Sequence, residues 1–370
     1  MAQLKAARAT DVPPAMPDPD PDVVAADLGA CVRHGRVDGL AAGSGRAEAT
    51  ATATTTAAAA DQGRRRPPLV VVGHRGKGMN ALASPDPRLR GDIRENTLRA
   101  FNAAAASHPA VAYVEFDVQA GKPLLRKLKD GRILKWDVQS EDALCTLREV
   151  FEGVHRRVGF NVELKFDDDL FYTEERLTCI LKSVLKVVFE HANDRPIIFS
   201  SFQPDAAQLI RKLQDKYPVL FLTNGGTQVY ADPRRNSLEE AVKLCVAGGL
   251  QGIVSEVRAI LRQPSAVAKI KEANKLSLMT YGQLNNVAEV VYVQHLMGVD
   301  GVIVDLVQEI AEAVSAFTVV TAVQASGSQD GGGIVVGERM ETAAVAVAGT
   351  PSFSPREVSF LLRLIPELVQ

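Results

Sequence analysis

Cysteine, net charge and long apolar runs are what this sequence has least of, and each shortage removes a class of protein. Its four cysteines, Cys31, Cys145, Cys179 and Cys245, stand far apart and form no C-x-x-C pair. That spacing suits free thiols in a reducing compartment better than a disulfide framework or a zinc site. Lys and Arg number 42 against 44 Asp and Glu, a net charge of −2. No basic surplus argues for nucleic acid or an anionic membrane. No apolar run approaches the roughly 18 residues of a membrane span. The nearest, Ile310 to Val323, contains Glu312 and reads as an amphipathic helix. What remains is a globular composition whose 46% hydrophobic content can fill a sizeable core.

Four segments follow one another along the 370 residues. Residues 1–66 are rich in Ala, Thr, Pro and Asp and show no hydrophobic periodicity. They read either as a disordered tail or as a targeting presequence; the Ala, Thr and Arg content favours the second, eight acidic residues the first. From 67 to 323 short apolar runs alternate with longer amphipathic ones. The runs cover 69–73, 111–118, 159–164, 196–201, 219–223, 252–256, 276–281 and 301–305. Continuous β-branched runs predict strands covered on both faces, and the helical patterns between them predict parallel crossovers. Eight such units in about 250 residues match a (β/α)₈ TIM barrel, with a doubly wound sheet as the alternative. Helices are predicted from NTLRAFNAAAASHP, DALCTLREVFEGV, EERLTCILKSVLKVVFEHA and NSLEEAVKLCVAGG by their three- and four-residue apolar steps. Residues 324–350 read as a Gly, Ser and Ala-rich linker. Residues 351–370 read as an appended helix started by Ser354, Pro355 and Glu357.

In such a barrel the carboxyl ends of the strands carry the site. Three successive strands end in chemistry: VVVGHRG offers His74 and Arg75, YVEFDVQ offers Glu115 and Asp117, and GFNVELK offers Glu163 and Lys165. Side chains two apart on a strand share a face, so each of the last two pairs can point into the barrel mouth. Three clustered carboxylates repel and raise one another's pKa. A hard divalent cation, magnesium or calcium, resolves the repulsion because both take oxygen ligands. Arg75 and Lys165 beside it would receive a phosphate, Arg through paired hydrogen bonds and Lys as a point charge. His74, with an ordinary pKa near neutrality, is left for proton transfer. Singly, each motif has a bland reading: a structural histidine, a surface E-x-D pair, a buried strand with snorkelling ends. Their placement at three successive strand ends favours a site.

These residues resemble the glycerophosphodiester phosphodiesterase family, particularly its plant group with plastid members. The likeness is carried by VVVGHRGKGMN, RENTLRAFNAA, VEFDVQ, GFNVELKFDD, RPIIFSSFQPDAA, LSLMTYGQLNNVAE and MGVDGVIVD, and runs from about Leu69 to Val307 with a return from Phe353. It implies a barrel that cleaves glycerophosphodiesters to glycerol 3-phosphate and an alcohol with a divalent metal. His74 is similar to the family's first catalytic histidine and Arg75 to its phosphate-binding arginine. Glu115, Asp117 and Glu163 match its metal carboxylates, and Lys165 its lysine near the phosphate. Glu95 and Asn96, in its E-N-[ST] motif, would support the site. A plastid location is implied, with the cytoplasm as the alternative.

The chain departs from that pattern at one place. After VEFDVQ the family continues through a Thr, an Asp-Gly turn and a strand ending His-Asp, which holds its second catalytic histidine. Here Gln119 is followed by Ala120 and directly by GKPLLRK. His34, His108, His155, His191 and His295 all fall away from strand carboxyl ends in the pattern above. The expectation is a metal-dependent phosphodiesterase with impaired turnover. The competing one is an inactive barrel, or isoform, that binds a phosphodiester or a partner. A metal-dependent lyase or aldolase barrel would instead need a Schiff-base lysine or enolate site, for which no motif argues.

Overall fold

The computed structural model describes residues 68–81, 84, 86–119, 126–127, 133–134, 138–139, 142–168 and 170–326. The tail, nearly all of the linker and the final helix expected above lie outside these residues. Eight parallel strands close into a barrel in chain order: β1 (Val70–Gly73), β2 (Val111–Val118), β3 (Gly159–Leu164), β4 (Ile197–Ser201), β5 (Val219–Thr223), β6 (Gly252–Glu256), β7 (Ser277–Tyr281) and β8 (Gly301–Val304). β1 pairs with β2 on one side and with β8 on the other. That closure excludes the doubly wound sheet, whose first and last strands would be edges. Arg126–Lys127 and Ile133–Leu134 form a short antiparallel ladder apart from the barrel.

Alternation along each strand builds two cores. Outward residues such as Val71, Val114, Phe116, Phe160, Val162, Phe199, Phe221, Ile253, Leu278 and Val302 pack beneath the helices. Inward residues Val72, Leu220, Leu222, Val254, Met279 and Ile303 fill the barrel itself. Both faces are therefore apolar, and this is why the strands read as unbroken hydrophobic runs. Phe116 anchors the outer core, with ring centroids 5.3 Å from Phe101 and 5.2 Å from Phe160.

The helices are α1 (Leu98–Ser107), α2 (Leu147–Gly153), α3 (Glu174–His191), α4 (Pro204–Leu213), α5 (Leu238–Gly248), α6 (Val257–Arg262), α7 (Ala288–Met297) and α8 (Val307–Ser326), with shorter helical turns between some of them. The pattern DALCTLREVFEGV places a helix from 142, but α2 starts at Leu147. Thr146 accepts from the Glu149 amide while the Glu149 carboxylate accepts from Thr146, a closed capping box that stops the helix there. α8 runs three residues into the segment read as linker, because no breaker intervenes before Gly327. Among the described residues, no helix is long and apolar enough to cross a membrane.

Candidate active site

Parity decides which side chains reach the barrel mouth. On β2 the outward Val114 and Phe116 leave Tyr113, Glu115 and Asp117 facing in. On β3 the outward Phe160, Val162 and Leu164 leave Asn161, Glu163 and Lys165 facing in. Asp117 stands opposite Glu163 in the strand register, and Glu115 opposite Asn161. Glu115, Asp117 and Glu163 consequently bring one carboxylate oxygen each to within 4.8 Å of one another.

Two cations of the chain thread this group. The Lys165 ammonium lies 3.1 Å from Asp117 Oδ1 and also bonds Glu163. Arg75 Nε lies 3.0 Å from Asp117 Oδ2, a close ion pair too misaligned to be a hydrogen bond. Arg75 Nη1 donates to Glu95 Oε1 at 2.8 Å, and the Arg75 amide to Glu115 Oε2 at 2.9 Å. Arg75 holds this double role with φ of 51°, in the left-handed region that L-residues rarely adopt. Glu95 is 1% exposed; its second oxygen accepts the Asn80 amide at 2.6 Å, so it braces the arginine and stands outside the carboxylate triad. Asn96 Nδ2 donates to Asp117 Oδ2 at 3.0 Å, and the Asp117 amide returns a bond to Asn96 Oδ1 at 3.2 Å.

His74 ends β1. Its Nδ1 lies 2.8 Å from Asp305 Oδ1, and its Nε2 lies 3.8 Å from Glu115 Oε2. A carboxylate accepts only, so this contact sets Nδ1–H as the donor and turns Nε2 towards the mouth. Burial disfavours a charged imidazole, but Asp305 and then Glu115 outweigh it and raise the pKa. Asp305 follows β8 and is itself held by the Met79 amide at 2.8 Å and by Asn286 Nδ2 at 3.1 Å. Sequence reasoning gave Asp305 no place in the site. The signal was present, a carboxylate at a strand end as in VEFD, but its partner lies 231 positions away. Of the described histidines only His74 stands at a strand carboxyl end. His108 caps α1, His155 follows α2, His191 ends α3 and His295 lies in the last turn of α7.

The donor set fits a divalent cation. Glu95, Glu115, Asp117, Glu163 and Asp305 surround two fixed cations, Arg75 and Lys165, and one histidine. Glu115 Oε1 is buried and accepts no hydrogen bond. Burial first, and Asp117 next, push the Glu115 carboxyl up to about 8. Burial also opposes charge on Asp117, but Lys165 and Arg75 prevail and hold it below the usual carboxylate range. An oxygen-only set with surplus negative charge is what magnesium or calcium takes.

A closed parallel barrel that gathers a carboxylate cluster, a braced arginine and a paired histidine at the carboxyl ends of its strands is built as a barrel enzyme. Comparison with known proteins carries this further. Residues 123–309 match the model of the glycerophosphoryl diester phosphodiesterase family. The chain is 48% identical to "Glycerophosphodiester phosphodiesterase GDPD1, chloroplastic" of Arabidopsis thaliana, over 82% of this chain and 91% of that one. It is also 48% identical to glycerophosphodiester phosphodiesterase GDPD3 of the same plant, over 67% of this chain and 79% of that one. The crystal structure of a glycerophosphodiester phosphodiesterase from Parabacteroides distasonis is 16% identical with a TM-score of 0.47, covering 69% of this chain and 100% of that one. This chain belongs to the glycerophosphodiester phosphodiesterase family.

Proposed function

We propose that this chain binds a glycerophosphodiester over the barrel mouth and is organised for its hydrolysis to glycerol 3-phosphate and an alcohol, with turnover impaired by a missing general acid. The carboxylates of Glu115, Asp117 and Glu163 within 4.8 Å of one another, with Glu115 Oε1 accepting no hydrogen bond, carry this reading. These three residues would hold magnesium or calcium. Such an ion supplies charge neutralisation and polarisation of a phosphoryl oxygen when bound. Arg75 and Lys165 bind the phosphate from either side of Asp117. Glu95 and Asn96 keep Arg75 and Asp117 in place. His74 takes or gives a proton at Nε2, its other nitrogen being committed to Asp305.

The absent general acid is supported by two observations. No described histidine other than His74 reaches the mouth. The 353 positions aligned with the chloroplastic relative take in 82% of this 370-residue chain, about 303 residues, so about 50 of those positions stand opposite no residue here. A positioned general acid is worth about a hundred- to ten-thousandfold in rate. Binding of the phosphodiester depends on groups that remain, and so outlasts fast turnover.

Release of glycerol 3-phosphate from glycerophosphocholine, with magnesium or calcium added, tests this. Slow, metal-dependent release abolished by His74→Ala supports an impaired enzyme. Metal-dependent binding with no release moves the chain to the competing reading, a binding barrel. Neither binding nor release sinks both. The relative's name adds a plastid as the proposed location; a fluorescent protein fused behind residues 1–66 and found only in the cytosol would overturn that.

A further inference from the structure

The opposite end of the barrel, where the strands begin, holds a cavity of about 140 Å³. The turn from α2 into β3 supplies Arg156 to its wall, the end of α3 supplies His191, and the turn into β4 supplies Asn193, Asp194 and Arg195. Arg195 is 8% exposed and held from several sides. Its guanidinium carbon lies 4.2 Å from the Phe160 ring centroid. Nη1 donates to the carbonyls of His155 at 3.0 Å and Val158 at 2.6 Å, and Nη2 to that of Val154 at 2.8 Å. A guanidinium carries five N–H donors, so two of them find no acceptor among the described residues.

Positive charge gathers here without an acidic counterpart. Among the described residues neither Arg156 nor Arg195 pairs with a carboxylate, Asp194 on the cavity wall included. Glu152 lies 3.9 Å from His191 Nδ1, but it is already paired with Arg148 at 2.8 Å. Burial, and then the charge of Arg156, pulls the Arg195 guanidinium below its ordinary pKa, and no carboxylate reverses this. Arg75 at the mouth moves the other way, because Asp117 and Glu95 outweigh its burial. Carbonyl dipoles fix Arg195 in place and leave its full charge uncancelled. Two guanidiniums near enough to repel carry a cost that an anion between them would remove.

We propose that this cavity binds a phosphate-type dianion, inorganic phosphate or a phosphomonoester, between the buried Arg195 and the exposed Arg156. A tetrahedral oxyanion offers acceptor oxygens to two forks arriving from different directions, which chloride does not. Stacked on Phe160 and bonded to three carbonyls, Arg195 loses little freedom when an anion arrives. Arg156, exposed and unpaired, completes the clamp from the solvent side. The site stands apart from the carboxylate cluster and does not depend on the phosphodiester reading above, although glycerol 3-phosphate, the product proposed there, belongs to the same chemical class.

Calorimetric titration of the full chain in EDTA and potassium chloride, with inorganic phosphate and with glycerol 3-phosphate as separate probes, tests this. EDTA keeps metal from the mouth, and the salt screens loose attraction to surface arginines. One anion per chain is expected, and the tighter probe names its source. Arg156→Ala should weaken binding at least about tenfold, the loss of a charge-assisted contact. Arg156 makes no hydrogen bond or ion pair among the described residues, so this variant keeps the fold. Lys165→Ala, at the mouth, should leave the affinity unchanged. Binding of neither anion overturns the inference, as does binding that Arg156→Ala leaves unaltered or that Lys165→Ala abolishes.

Discussion

Glu115 shows what a single residue contributes when function and stability oppose each other. Its Oε2 accepts the Arg75 amide and its Oε1 accepts nothing, in a site already holding Asp117 and Glu163. Glu115→Gln keeps the amide contact and removes a charge that burial disfavours. The variant should therefore melt higher than the parent without added metal. The parent should gain about 2.7 kcal/mol at a magnesium concentration a hundred times its Kd, and the variant almost none. Thermal melts with and without magnesium check both halves; an equal metal response in the two proteins would remove Glu115 from the ligand set.

At the scale of elements, the loop from β1 to α1 must bring Arg75 and Glu95 together, and it does so by close backbone approach. Gly76 has φ of 94°, and a Cβ there would lie 2.7 Å from the Ala100 carbonyl carbon in α1. Gly76→Ala should cost upwards of about 2 kcal/mol, from positive φ combined with overpacking; a urea midpoint unchanged from the parent would contradict this contact. α5 offers a test of burial. Cys245 is fully buried, and burial pushes its thiol up to about 12. The unfolded thiol ionises near pH 9 while the folded one stays protonated, so the unfolded state binds fewer protons as pH rises from 9 to 12. Stability falls through that window, by about 1.4 kcal/mol per pH unit at most for one group. Cys245→Ala should show a shallower decline between pH 9 and 11 in denaturant titrations, even if its stability at pH 7 is lower.

For the whole molecule the question is whether the barrel keeps a serviceable mouth under the proposal that its general acid is missing. All eight strands close, and the carboxylates, Arg75, Lys165 and the His74–Asp305 pair all converge at one end. Grafting between Gln119 and Ala120 a family segment that carries the proposed general acid should raise glycerol 3-phosphate release about a hundred- to ten-thousandfold. Ligand affinity should change far less. A graft that folds and binds but releases no faster would show that turnover is limited elsewhere.

The sequence alone determined the local half of this protein. Strand alternation has a period of two and helix patterning one of 3.6, so both are written in neighbouring residues. All eight strands were legible, as were the inward pairing of Glu115 with Asp117 and of Glu163 with Lys165. Only the tertiary structure decided what closure brings together. β1 meets β8, and Asp305 thereby becomes the partner that orients His74, although 231 positions separate them. Closure likewise brings Phe202, just beyond β4, and Tyr281, at the end of β7, to ring centroids 5.9 Å apart, which no local period records. The placement of Glu95 behind Arg75 depends on a loop with positive φ at Arg75, Gly76 and Asn96, a conformation that packing imposes and short-range patterning does not encode.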